Sequence, residues 1–136
     1  MAYWLLKTEP GDYSYDDLVR DKRTRWSGVT NPVALKHMRS ARKGDLAMIY
    51  HTGDEKQIVG IAELAGEPYA DPDADDERIV AFDIKPRRKL ERPVTLAAVK
   101  ADPMFKNFEL VRISRLSVMP VDPQTWEALL RMGGSS

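Results

Sequence analysis

Turn and cap residues cut this chain into pieces so short that only a mixed arrangement of small strands and helices suits it. Pro10-Gly11 ends an aromatic and apolar run over residues 3–7, which reads as a first strand. Ser14 with Asp17 three residues on has the spacing of a capping box, so a short helix is expected through Val19. Residues 21–26 read as a basic connector. Asn31-Pro32 supplies an N-cap and a first helical residue, predicting a helix over 32–40 with Ala34, Leu35 and Met38 on one face. Gly53-Asp54 separates apolar runs at 46–52 and 57–67, the pattern of an antiparallel hairpin. Beyond an acidic loop at 68–77, residues 78–89 alternate as a strand and Thr95 caps a short helix through Lys100. Residues 115–119 then form another strand, and Asp122-Pro123 starts a final helix carrying Trp126, Leu129 and Leu130.

Strands interleaved with short helices in 136 residues predict one compact α+β domain around a curled, mostly antiparallel sheet. It is expected to cover residues 1–132, with 133–136 as a frayed tail. The lack of Cys rules out disulfides, thiolate zinc sites and a cysteine nucleophile. His37 and His51, the two histidines, are too few for a histidine-rich zinc or iron centre. Asp71, Asp73 and Asp75 begin like a calcium loop, but Asp76 stands where the turn needs Gly and Phe82 where the bidentate Glu belongs. No phosphate-binding glycine fingerprint and no Gly-x-Ser-x-Gly elbow occur, so neither a cofactor nor a metal is expected. No apolar run is long enough to span a bilayer, and no basic-then-apolar leader opens the chain. A soluble, intracellular, cytoplasmic protein with no membrane partner is the expectation.

The 21 cations and 21 anions balance, yet they are unevenly placed. Residues 20–43 hold eight Lys or Arg against Asp21 alone, and residues 63–83 hold eight Asp or Glu against Arg78 alone. A basic segment of this kind suits a phosphate backbone, because cations that pair with phosphates release condensed counterions. Charge runs are usually just solvated faces, and it is the position of this one next to Trp26 that favours the phosphate reading. A second basic cluster follows at Lys85, Arg87, Arg88, Lys89 and Arg92.

Within the first basic segment stands Trp26-Ser27-Gly28-Val29-Thr30-Asn31, and near the start stands Tyr3-Trp4-Leu5-Leu6-Lys7-Thr8-Glu9-Pro10. Each places a Trp beside hydrogen-bonding groups, as a pocket that stacks on a flat ring and reads its edge requires. A buried core role is the ordinary alternative for any Trp. Together with Lys43-Gly44-Asp45 before Tyr50-His51-Thr52, and with Arg115-Leu116-Ser117-Val118-Met119-Pro120-Val121, these words resemble the EVE domain family, which includes the thymocyte nuclear proteins. The resemblance runs from Tyr3 to about Leu130, and a weaker likeness extends to YTH domains. It implies a PUA-like fold and a reader of modified bases, first of all modified cytosines such as 5-methylcytosine or 5-hydroxymethylcytosine in DNA, with modified RNA the close alternative. Thr30 departs from the family's usual Arg, Pro32 from an aromatic, Thr52 from Ser and Met119 from Gln.

The expected binding module is a monomer that performs no chemistry. Trp26 forms its stacking wall, and Trp4 supports that wall or packs in the core. Lys7, Thr8, Glu9, Ser27, Asn31 and His51 supply polar contacts, while Lys36, Arg39, Arg42 and Lys43 hold phosphates. Tyr50, Tyr69 and Phe82 are the candidates for a second aromatic wall. The rival reading is an enzyme acting on a nucleoside-like molecule, with Glu9 and His51 as acid and base.

Overall fold

The computed structural model describes residues 1–134. In chain order its elements are β1 (Tyr3–Thr8), α1 (Tyr15–Asp21), β2 (Thr24–Trp26), α2 (Pro32–Ser40), β3 (Leu46–His51), β4 (Gln57–Leu64), β5 (Tyr69–Ala70) and β6 (Val80–Thr95). Then come α3 (Leu96–Ala101), a single 3-10 turn (Pro103–Phe105), α4 (Glu109–Arg112), β7 (Val118–Val121) and α5 (Pro123–Met132). The strands form one sheet in the order β2-β6-β4-β3-β1-β7, with β5 pairing β6 outside that path. β1 lies parallel to β3, and every other pairing is antiparallel.

Near-continuous apolar runs in β1, β3 and β4, in place of strict alternation, bury both faces of the sheet centre. Leu5, Leu6, Met48, Ile49 and Ile58 are all sealed from solvent. Gly60 makes room for α1: a Cβ there would lie 2.5 Å from the Tyr15 ring, whose hydroxyl donates to the Ile61 carbonyl. The helices begin where their caps predict. Ser14 and Asp17 exchange both capping-box bonds, and Asn31 Oδ1 accepts the N–H groups of Val33 and Ala34. Each such cap is worth about 1 kcal/mol. Trp126 on α5 is buried and stacks on Tyr3 at 4.5 Å between ring centres, which fixes the last helix to the first strand.

Several boundaries differ from the sequence reading. The basic connector contains β2, whose three residues pair Thr24 with Ile84, Arg25 with Asp83 and Trp26 with Phe82. Three residues carry little propensity of their own, so the partner strand decides their state. The strand expected over 78–89 continues to Thr95 through Pro86 and Pro93, because register shifts between Ile58 and Gly60 and between Ile61 and Ala62 interrupt the ladder beside them. The acidic loop includes β5, and the last strand falls later than 115–119, since Leu116 N–H closes a turn onto the Ile113 carbonyl. Gly133 caps α5 and accepts from Arg92 N–H, so the tail expected to fray starts with a bonded residue; Ser135 and Ser136 lie outside the described residues.

In the sheet order β1 and β2 stand four strand steps apart, roughly 19 Å across a flat sheet. Residues from both line one cleft, so the sheet curls into a half-barrel that brings these two strands together. Among the described residues no helix is long and apolar enough to cross a membrane.

Candidate nucleic-acid interface

The cleft forms where two loops leave the half-barrel. After β1 the chain turns back at once: Thr8 Oγ1 donates to the Tyr13 carbonyl, and the N–H groups of Asp12 and Tyr13 both donate to the Glu9 carbonyl. After β2 it runs through Ser27-Gly28-Val29-Thr30, where Gly28 has a φ of +78° and open space around it. Glycine is needed there for its backbone and not for a close approach. Between the loops lies an opening of about 560 Å³, within the range of small-molecule sites. Lys7, Thr8 and Glu9 line it from the β1 side; Trp26, Ser27 and Asn31 line it from the other.

Six of the eight expected pocket residues are thus brought together. Trp26 is partly buried and packs on the core, with Phe82 opposite it in the strand pairing. Asn31 gives its carbonyl oxygen to the helix cap, which leaves the amide nitrogen free to donate. Glu9 Oε1 accepts from Gly11 N–H, and Glu9 Oε2 lies 3.4 Å from Thr52 Oγ1. Lys7 Nζ donates to the Ser114 carbonyl and sits 5.6 Å above the Tyr50 ring; burial pushes its pKa down.

Trp4 and His51 are elsewhere. Trp4 is only 5% exposed, and its Nε1 donates to Asp45, which also accepts from Ala2 N–H and Arg42 N–H. It packs in the core. His51 is 7% exposed; Tyr15 N–H donates to its Nε2, so the ring proton resides on Nδ1 and is donated to Glu55 Oε1 at 2.9 Å. That bond holds the Glu55 carboxyl below the usual carboxylate range. With both nitrogens engaged and no place on the cleft wall, His51 ties α1 to the β3–β4 turn and is not the polar contact expected of it.

The candidates for a second aromatic wall also fall outside. Phe82 is fully buried, Tyr69 donates to the Asp83 carboxylate, and Tyr50 lies on the far side of Lys7. Tyr13 lines the cleft instead, with its hydroxyl donating to Asp21 Oδ2. Burial pushes that hydroxyl's pKa up. The sequence reading did not single it out; its place three residues beyond Pro10, at the end of the turn that Glu9 closes, is the signal that could have found it. Arg25 and Ser117 line the cleft as well, whereas Met119 is fully buried, so its departure from the family pattern concerns the core.

Charge is arranged differently from its order along the chain. Arg23 meets Asp83 at 3.0 Å and Arg25 meets Asp73 at 3.1 Å, so the basic and acidic runs oppose each other across the β2–β6 edge. The second basic cluster is also engaged, with Arg87 on Glu63 and Lys89 on Asp16. Of the expected phosphate ligands, Arg39 donates to the Arg78 carbonyl and Arg42 to the carbonyls of Arg39 and Ala41. Asn31 at the start of α2 touches the cleft, while Arg42 and Lys43 border a separate depression beyond the other end of this nine-residue helix, about 13 Å along its axis. Lys36 is exposed and has no side-chain partner among the described residues. No three His, Asp or Glu side chains among those residues converge as a metal site.

The architecture has close counterparts among solved structures. Rpa0253 from Rhodopseudomonas palustris is 45% identical and superposes with a TM-score of 0.94 over 98% of this chain and 94% of that one. The human THYN1 protein, solved in complex with 5-methylcytosine-containing DNA, has the same fold with a TM-score of 0.91 at 24% identity, over 100% of this chain and 99% of that one. Protein C21.03c of Schizosaccharomyces pombe is 29% identical over 92% of this chain and 65% of its own length, so the chain spans about two thirds of that relative. Curled sheet and short helices together are the PUA-like fold. The EVE domain profile matches residues 2–132, and with that match across nearly its whole length the chain belongs to the EVE domain family.

Proposed function

We propose that this chain is a non-catalytic module that holds a modified base of nucleic acid, in the first place a modified cytosine in DNA, in the cleft beside Trp26. The observation that carries the reading is the convergence of Trp26 with donors and acceptors of both kinds around one base-sized opening. The indole offers a face for stacking. Glu9 accepts from an exocyclic amine, as acidic side chains do from cytosine, and the Asn31 amide and Ser27 hydroxyl donate to ring or carbonyl acceptors. Tyr13 is the second aromatic of the site. The 5-methylcytosine DNA held by human THYN1 supports the choice of base and polymer.

In this reading Lys36, at the exposed middle of α2, meets a phosphate near the bound base, and Arg39, Arg42 and Lys43 meet a strand that continues along the helix. Engagement of both His51 nitrogens supports a binder over an enzyme, since the acid–base pair with Glu9 has no common space in which to act. The module works as a monomer without metal or cofactor. The test is fluorescence anisotropy with labelled DNA and RNA oligonucleotides of one sequence, carrying cytosine, 5-methylcytosine or 5-hydroxymethylcytosine. Tighter binding of a modified DNA by about fivefold or more is expected from the roughly 1 to 3 kcal/mol of base stacking. Equal affinity for all modified and unmodified strands would overturn the reading.

A further inference from the structure

A second cleft shares a wall with the first. Its volume is about 310 Å³, and Lys7 lines both openings. The partition is completed by Glu9, whose carboxylate reaches over to Thr52 and Gly53 on the second cleft's rim. A Cβ on Gly53 would lie 2.6 Å from Glu9 Oε2, so the wall is one side chain thick.

The second cleft has an apolar floor and a cationic rim. Tyr50, Leu96, Leu110 and Val111 supply the floor; Lys56 and Lys100 stand beside Lys7 on the rim. Most arginines of this chain are spent on carboxylates or carbonyls, as Arg20, Arg23, Arg25, Arg39 and Arg78 are. Lys56 and Lys100 form no ion pair or side-chain hydrogen bond among the described residues. Two uncommitted cations over an apolar surface suit a ligand with one anionic group and a flat or apolar body. Asp54 and Glu55 border a neighbouring depression on the other side of the lysines, not this cleft.

We propose that the second cleft holds the nucleotide adjacent to the recognised one, with its phosphate between Lys56 and Lys100 and its base or sugar against Tyr50, Leu96 and Val111. This rests on the base-binding reading of the first cleft, and it gives the strand a direction: past Lys7, from the Trp26 opening to the α3 side. It adds a phosphate contact from residues outside the basic 20–43 run.

The test uses the full chain and a single-stranded DNA with one central 5-methylcytosine, made with native linkages or with a charge-neutral methylphosphonate on either side of that nucleotide. The Lys56→Gln/Lys100→Gln variant should bind the native strand roughly three- to tenfold more weakly. Its salt slope should fall by about 0.7, the share of one single-strand phosphate. One of the two methylphosphonate strands should weaken the wild type by a similar factor and leave the variant unchanged, a coupling that mere loss of overall charge does not produce. A thermal melt checks that the variant folds as the wild type does. Unchanged affinity in the variant, or equal losses in variant and wild type from both neutral linkages, overturns the second cleft while leaving the first intact. Loss of preference for 5-methylcytosine in the wild type overturns the first cleft instead, and the lysine coupling then decides the second alone.

Discussion

If Trp26 is the stacking wall, Trp26→Ala should separate recognition from stability. The three tryptophans provide internal controls: Trp4 and Trp126 are 5% and 3% exposed, whereas Trp26 is partly buried at the cleft. Truncating a fully buried Trp costs about 3 to 5 kcal/mol. Trp26 gives up only part of that packing and no strand pairing, since its backbone partner Phe82 remains, so about 1 to 2 kcal/mol is expected. For a domain of this size that lowers Tm by roughly 3 to 8 °C, against loss of the folded state or a far larger drop for Trp4→Ala. Binding changes in another manner. Removing the stacking face forfeits roughly 1 to 3 kcal/mol per base, a factor of about 5 to 150 on the modified strand. Weak, salt-sensitive binding through the cations persists, so modified and unmodified strands converge on one affinity. Calorimetric melts of the three variants, with anisotropy titrations of Trp26→Ala, measure both sides. If Trp26→Ala melts as early as Trp4→Ala, or if it keeps the preference for a modified base, the stacking assignment is wrong.

Two further outcomes follow from the charge arrangement. Asp73→Asn removes the exposed partner of Arg25 at the cleft rim and leaves Asp71 at 3.5 Å, so modified and unmodified strands alike should bind about two- to fivefold tighter at low salt, an effect erased at high salt; unchanged titrations would show that Arg25 takes no part. Burial first, and then the Asp83 carboxylate, push the Tyr69 hydroxyl up to about 12, while the bond from Tyr69 helps hold Asp83 below the usual range. Because the folded pKa is raised, this contribution to stability is fully present below the ordinary tyrosine value of 10.0 and is lost as pH climbs from there to about 12. A spectrophotometric titration of tyrosinate should lose its most alkaline step in Tyr69→Phe, and retention of that step would place the late titration elsewhere.

Local chemistry made the helices legible in the sequence, because each cap is decided within four residues. Asn31-Pro32 and Ser14 with Asp17 name both the start and the bonds of their helices, and the structure contains those bonds. The hairpin of β3 and β4 was readable for the same reason. Long-range pairing was not: β2 exists because β6 passes beside it, and no pattern within Thr24–Trp26 announces that. The same limit explains the cleft. Residues after the first apolar run, Lys7 to Glu9, and after the basic connector, Trp26 to Asn31, were recognisable as a group, whereas the aromatic that joins them was sought at Tyr50, Tyr69 and Phe82 and is found in the Glu9–Tyr13 turn. His51 was misread because a histidine next to Tyr50 and Thr52 gives no hint that a backbone N–H 36 residues earlier consumes its acceptor.

The dependence of β2 on β6 also orders events in time. Every backbone partner that holds Trp26 in place lies at residues 82–84, more than fifty positions downstream. Loop closure over that distance is slow compared with the hairpin of β3 and β4, so the cleft completes late in folding and is absent from a growing chain that has not yet produced β6. A three-residue edge ladder is also among the least costly parts of the sheet to open. Amides of β2 should therefore exchange with solvent well before those of β1 or β3, and a bound strand should slow them most.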